Sequence, residues 1–342
     1  GSIYWKRLGN PVLIQDSGQI DFIHFSPVEP HYFAATSSAK VQIFHSQRTQ
    51  IFKTLSRFTS GAFGGRFRSD GKLICCGSEE NQVKLFNLST KTILRILKGH
   101  TAPVRRVDFS CDGLKVVSFS DDQTVVRVWD LADEKEQGTY ESHSDFIRAG
   151  VCHLSSPDLF LSGGYDGTVK LWDSRCSDAA VCSFSHGSPV ECLSLVPSGG
   201  GTLLASAGGT EIHIWDLLQS RSGTLLASAG GTEIHIWDLL QSRSNSGSGK
   251  PLMTLCHHHK TNTCLSVVGG VRPSCDTRLL SGSLDPHVKI YDITDYSVVH
   301  SLTYPSPVLS LGVAENAELS PLPACFPTSL PVKAQWVGSV LF

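Results

Sequence analysis

Along the chain, short runs of alternating apolar and polar residues end repeatedly in an aromatic residue: VQIF at Phe44, VKLF at Phe86, VRVW at Trp129, VKLW at Trp172, IHIW at Trp215 and VKIY at Tyr291. Alternation with a period of two marks a strand whose one face is buried. The aromatics are spaced 42, 43, 43, 43 and 76 residues apart. Within one period the pattern repeats in the same order. An alternating strand such as VRRVDFS is followed by a polar turn (CDG), a second strand (LKVVSFS), an Asp-bearing turn and the aromatic-ended strand. A weaker fourth strand then leads to a histidine, as in TILRILKGH ending at His100. The pattern predicts an all-β chain built from units of four antiparallel strands. One such unit cannot bury both of its faces, so the units must cover one another.

A period near 43 with Asp after the aromatic, at Trp129-Asp130, Trp172-Asp173, Trp215-Asp216 and Tyr291-Asp292, resembles the WD-repeat family of β-propellers. The resemblance spans residues 18 to 314 and implies a closed ring of four-stranded blades. Six blades are countable. A seventh is expected from both ends of the chain, with PVLSLGVA as its inner strand and PVLIQD near the N-terminus as its outer one. Closure of this kind removes open sheet edges. The propeller is expected over residues 1–314, followed by a Pro-rich tail over 315–342 that is either part of blade seven or irregular.

The 76-residue gap has a separate cause. GTLLASAGGTEIHIWDLLQSRS occupies residues 201–222 and recurs letter for letter over 223–244. Each copy carries only the second and third strands of a blade, with no first or closing strand between the copies. Residues 223–244 are therefore expected as an insert in blade five. One copy occupies the blade, and the other forms an extruded hairpin or a loop.

Composition narrows the classes of function. No apolar run approaches the roughly 20 residues needed to cross a bilayer as a helix, and the opening GSIYWKRLGN lacks the basic and apolar regions of a signal peptide. The 11 cysteines contain no CxxC pair and several lie in strand-like runs, which suits reduced core thiols. Cys256, His257, His258 and His259, with Cys264 beyond, look like metal ligands, but adjacent residues of a strand point to opposite faces and could not converge on one ion. Net charge is −2, unevenly spread: residues 1–110 hold 15 Lys and Arg against 7 Asp and Glu. Arg57, Arg66, Arg68, Lys98, Arg105 and Arg106 are the candidate contacts with RNA or an acidic partner that this excess suggests.

Blade three presents His100, Ser118, Asp122 and Trp129, and blade four His143, Ser162, Asp166 and Trp172, at corresponding positions. Taken alone, His, Ser and Asp suggest a hydrolase triad. A catalytic set is needed once, whereas this one recurs, with parts again at His186, Ser206 and Trp215 and at His258, Ser281, Asp285 and Tyr291. The WD-repeat resemblance implies that these tetrads are buried hydrogen-bond networks. SAGGTE and SGGYDGT are inter-strand turns, not phosphate loops, so neither an enzyme activity nor a cofactor is expected. Partners are expected on the loops of the face that carries the His and Asp positions, at Glu79, Glu80, Asp121, Gln123, Asp145, Phe146, Tyr165, His287 and Lys260.

Some segments go beyond the generic repeat. YWKRLGNPV, FSPVEPHYFAAT, KTLSRF, ESHSDFIRAG, HGSPVECLSLVPSGG, HHHKTNTCLS and RLLSGSLDPHVKIYD resemble WD-repeat propellers of the early-binding subcomplex of the small-subunit processome. The resemblance implies a nucleolar scaffold in pre-ribosomal RNA maturation. Its partners would be other processome subunits, the U3 ribonucleoprotein and pre-rRNA, with no membrane and no small-molecule substrate. An alternative comes from Trp172-Asp173-Ser174-Arg175. These residues match the WDxR pattern by which some WD-repeat receptors dock on the adaptor of cullin-4 ubiquitin ligases, through Trp172, Asp173 and Arg175.

Overall fold

The computed structural model describes residues 18–313 and 338–341, except 46–49, 123–124, 177–179, 197–202, 209–210, 217–225, 231–232, 238–254, 256, 269–277 and 294. Within the strands of 203–216, 226–237 and 338–341 the backbone alone is described, save for Ser206 and Ala207; the same holds at Val125, Val196 and Val268.

Every described element is a strand. Blades one, two, three, four and six are four-stranded antiparallel sheets whose strands pair in chain order. Their hairpin turns have local causes. In blade three, Asp112 accepts the backbone N–H of Leu114 at 3.0 Å, and Gly113 takes φ of +70°, a left-handed conformation that costs glycine little. Burial falls outward across each blade. The second strands Leu73–Ser78 and Arg278–Ser283 are buried at every residue, whereas the outer strand Glu136–Glu141 buries only Tyr140. Trp172, Phe86, Phe119 and Phe160 are among the largest fully buried side chains, each contributing roughly 1.5–3 kcal/mol by leaving water.

The inner strands run around a central channel in chain order: Ile20–Phe25, Ala62–Phe67, Val104–Phe109, Ile147–Cys152, Cys192–Val196, Asn262–Val268 and Val308–Gly312. Each lies beside the next, and the last lies beside the first. The closing contact is specific, since Ile23 donates its N–H to Ser310 Oγ at 3.0 Å. Neighbouring blades approach so closely that a Cβ on Gly150 would sit 2.3 Å from the Phe119 ring.

The seventh sheet has two described strands. Val308–Gly312 pairs in parallel with Gly338–Leu341, from the Pro-rich tail. The outer strand expected from PVLIQD lies outside the described residues, so seven full blades remain a proposal for this ring.

Blade five differs from the expectation of an extruded segment. Strand Cys192–Val196 pairs with Leu203–Gly208 of the first copy, as in other blades. The second copy folds into its own hairpin, Leu226–Gly230 with Glu233–Trp237. That hairpin pairs in parallel and in exact register with the first copy, Ser206 with Ser228 and His213 with His235.

Candidate functional site

The upper face of the ring carries the loops before the inner strands and the turns between second and third strands. In blade three, His100 Nδ1 lies 2.8 Å from Asp122 and Nε2 lies 2.7 Å from Ser118 Oγ. Trp129 Nε1 donates to the same Ser118 oxygen at 2.8 Å. Blade four repeats this with His143 2.9 Å from Asp166 and 2.7 Å from Ser162, which also receives Trp172 Nε1 at 2.8 Å. A carboxylate only accepts, so Nδ1 carries the proton that faces each Asp, while Nε2 shares a hydrogen bond with the serine hydroxyl. This is the connectivity of a hydrolytic triad. Ser118 and Ser162 are nevertheless 0% exposed, so no substrate carbonyl can reach either oxygen.

The carboxylates tie loop to turn. Asp166 accepts the N–H of Ser144 at 3.0 Å and the hydroxyl of Thr168 at 2.7 Å. Burial works to raise its pKa, and the hydrogen bond and charge of His143 with these other bonds outweigh burial, holding it well below the usual carboxylate range. Asp122 and Asp285 are lowered by the same balance. In blade six, His258 sits 2.9 Å from Asp285 and 2.7 Å from Ser281, with Tyr291 at the Trp position. His258 is thus committed to this network, and among the described residues no group of His, Cys, Asp and Glu is placed to hold a metal ion. In blade five the His186–Ser206 distance is 3.4 Å.

The six basic residues do not form one patch. All inner strands start at the upper face, so Arg105, near the start of Val104–Phe109, and Arg68, just past the end of Ala62–Phe67, lie at opposite faces. Arg57 and Lys98 are exposed. The others are paired with carboxylates: Arg66 with Asp108 at 2.8 Å, Arg68 with Asp70, Arg105 with Asp121 at 2.7 Å and Arg106 with Asp21 at 2.8 Å. Asp108 is buried deeply enough that its pKa is raised even against Arg66.

What the fold does bring together is a ring at the upper mouth of the channel. Asp121 bridges two arginines, accepting Arg105 Nε at 2.7 Å and Arg148 Nε at 2.6 Å. Arg105 lies 4.4 Å over Phe63, and Arg148 lies 5.2 Å over Tyr165 and 5.8 Å over Phe146. Tyr165 donates to Glu191 at 2.7 Å; burial first, then Glu191, push its pKa up. Arg106 lies 5.1 Å over Phe22 and reaches Asp21 of blade one. It crosses blade two where Gly64, at φ +58°, donates to the same Asp21 carboxylate. A Cβ on Gly64 would lie 3.1 Å from the Arg105 carbonyl. The ring opens on a cavity of about 160 Å³ lined by Asp21, Arg105, Arg106, Arg148, Glu191 and Thr263.

Asp121, Phe146 and Tyr165, expected from sequence as surface contacts, belong to this ring. Asp145 adjoins it, accepting the N–H of Phe146 at 2.7 Å, and Gln123 lies outside the described residues. Glu80 is held by Lys84 at 2.7 Å and by the N–H of Thr59. Burial raises its pKa less than these bonds lower it, to about 2. Arg148, Asp21 and Phe63 were not legible as site residues one at a time. Aligned, however, Asp21, Phe63, Arg105, Arg148, Thr263 and Leu309 all stand second in their inner strands, a column that the ring turns toward one opening.

At the lower face, Arg175 follows the third strand of blade four. Its guanidinium returns to Asp173, with Nη2 at 2.7 Å and Nε at 2.9 Å, and its side chain is 68% exposed.

The family model described as WD domain, G-beta repeat matches residues 91–130, 134–173, 180–216 and 249–292. These four segments are WD repeats. The WD repeats continue into more specific likeness. The chain is 40% identical over 318 residues to U3 small nucleolar RNA-associated protein 15 homolog of Xenopus laevis, covering 93% of this chain and 55% of that protein. It is 40% identical over 317 residues to the Homo sapiens homolog, covering 93% and 54%. With U3 small nucleolar RNA-associated protein 15 of Saccharomyces cerevisiae it shares 31% over 317 residues, covering 92% and 56%. The WD-repeat chain spans about half the length of the curated relatives it matches.

Proposed function

We propose that this WD-repeat chain is a non-enzymatic scaffold of the small-subunit processome, acting in pre-18S rRNA processing and ribosome biogenesis in the nucleolus. The observation that carries the reading is its alignment over 93% of its length with proteins named for association with U3 small nucleolar RNA. The buried tetrads support it, because their hydroxyls hold blades together and meet no substrate. Its partners are other processome subunits and the U3 ribonucleoprotein. Affinity purification of the full-length protein tests this. Recovery of processome subunits with U3 RNA is expected, and recovery without either would overturn it.

Direct contact with pre-rRNA is the finer part of the proposal; of Arg57, Arg66, Arg68, Lys98, Arg105 and Arg106, the exposed Arg57 and Lys98 are left to make it, since the other four are each held by a carboxylate. Each phosphate neutralised would add about −0.7 to the slope of log affinity against log salt for a single strand. RNA binding at two salt concentrations, with and without Glu at Arg57 and Lys98, decides it.

Arg175 favours a second reading, docking on the cullin-4 adaptor at the Trp172, Asp173 and Arg175 motif, with the contact left to Arg175, whose side chain is 68% exposed while Trp172 is buried and Asp173 braces the guanidinium. Adaptor recovered with the wild type and lost with Arg175→Ala would select it over the processome.

A further inference from the structure

The channel mouth is chemically distinct from the rest of the upper face. Three guanidiniums converge there from blades three and four, and each is fixed twice, by a carboxylate and by an aromatic face. Fixing an arginine in this way lowers the entropy lost when it binds a ligand. Asp21 and Glu191 line the cavity, each with an oxygen already bonded, to Arg106 and to Tyr165, whereas Asp121 is turned inward. Asp121 is 8% exposed with one arginine on each oxygen. Among the described residues, Arg105 and Arg148 bond to protein acceptors only through Nε, so the Nη donors of both remain for a ligand.

From this arrangement we infer that the channel mouth is a docking pocket for an acidic peptide segment of a partner protein. One Asp or Glu side chain enters the cavity between Arg105 and Arg148, and an adjacent large apolar residue rests on Phe146.

Size, charge and stacking select this occupant. The cavity of about 160 Å³ admits one carboxylate and its stem. A guanidinium fork meets a carboxylate with two parallel N–H bonds, the strong planar form of this contact. Phe146 is 37% exposed beside it, the apolar shelf that such an anchor needs. RNA fits the same place poorly. Single strands are held by open aromatic platforms and a continuous positive groove, but here the faces of Phe63 and Tyr165 are covered by arginine. The Nη donors left on Arg105 and Arg148 are also confined to one cavity, so no continuous positive stripe tracks a backbone. The inference does not depend on the processome reading, because it concerns only which chemistry the mouth accepts.

The test uses the full chain and an array of decapeptides placing one Glu or Asp between large apolar residues. A matched array carries Gln or Asn in that position, and a 12-nucleotide oligouridine serves as the RNA probe. Acidic peptides should bind, and the amide replacements should bind at least about tenfold more weakly. Arg148→Gln should cost a similar factor for peptide while leaving oligouridine binding unchanged. That variant leaves Asp121 with one partner and could loosen the blade, so Phe146→Ser is the second probe. It lies outside every core cluster and should weaken acidic peptides by a few-fold with an unchanged melting temperature. Equal binding of acidic and amide peptides, no peptide binding at all, or loss of oligouridine binding in Arg148→Gln would each overturn the inference.

Discussion

Blades four and five have consecutive positions in one ring and depart in opposite directions from the same plan. Blade four carries a tetrad in which each polar atom is accounted for, from Asp166 through His143 to Ser162 and Trp172. Blade five has one serine-histidine contact at 3.4 Å and two chemically identical candidates for its middle strands. The difference separates two ways of specifying a blade. A satisfied buried network makes one arrangement much better than any other. Duplicated strands make two arrangements nearly equal, because only the connecting lengths tell them apart. With the first copy in place the connectors are residues 197–202 and 217–261; with the second they are 197–224 and 239–261. By the logarithmic cost of loop closure these choices differ by only about 0.8 kcal/mol.

The sharpest way to break the comparison is in blade five. Trp215→Ala or Trp237→Ala alone should lower stability by less than about 1 kcal/mol, because the intact copy takes the blade. Both changes together should cost about 3–5 kcal/mol, the usual loss for a large aromatic in a core. Equilibrium denaturation of the three variants checks this, and a large cost for Trp215→Ala alone would show that the copies do not exchange.

Blade four offers no such reserve. Asp166→Ala strands the buried His143 and takes the partner of the Ser144 N–H and the Thr168 hydroxyl, and should cost about 2–3 kcal/mol in the same measurement. A cost below about 0.5 kcal/mol would mean that water replaces the carboxylate.

Acid should act on two sets of groups at different pH. His258 has its pKa lowered by burial ahead of the opposing Asp285 bond, and burial also lowers His24 and His153. Each is protonated more readily when unfolded, so its contribution is full above about pH 6.5 and is lost as pH falls below that. Asp122, Asp166 and Asp285 have lowered folded pKa values, so their contribution is full above about pH 4 and is lost below it. Melting temperature should fall gently from pH 6.5 and steeply below 4. Asp166→Ala should flatten only the second limb.

The smallest effect is expected from removing residues 223–244. Shortening the second connector should leave stability unchanged or raise it by about 0.6 kcal/mol. A loss of more than about 2 kcal/mol would show that the parallel pairing of Glu211–Asp216 with Glu233–Trp237 is a working part of the blade.

Repetition is what made so much of this chain legible. Period-two alternation and a 43-residue spacing require four-stranded units, and the recurrence of His100, Ser118, Asp122 and Trp129 one period later argues for a structural network before any geometry is known. Those properties are local, set within about 45 residues, so sequence alone determines them. The charge excess of residues 1–110 was equally plain in sequence, but its arrangement was not. Arg105 and Arg68 are 37 positions apart in a basic region, and the ring sends them to opposite faces. Only the tertiary structure decides that Asp121 lies between Arg105 and Arg148, or that Arg106 passes over Gly64 to Asp21. Closing a ring places side by side residues from separate blades that share one position in their inner strands. No spacing along the chain distinguishes a residue turned into the channel from its neighbour turned into the core until the blades surround an axis.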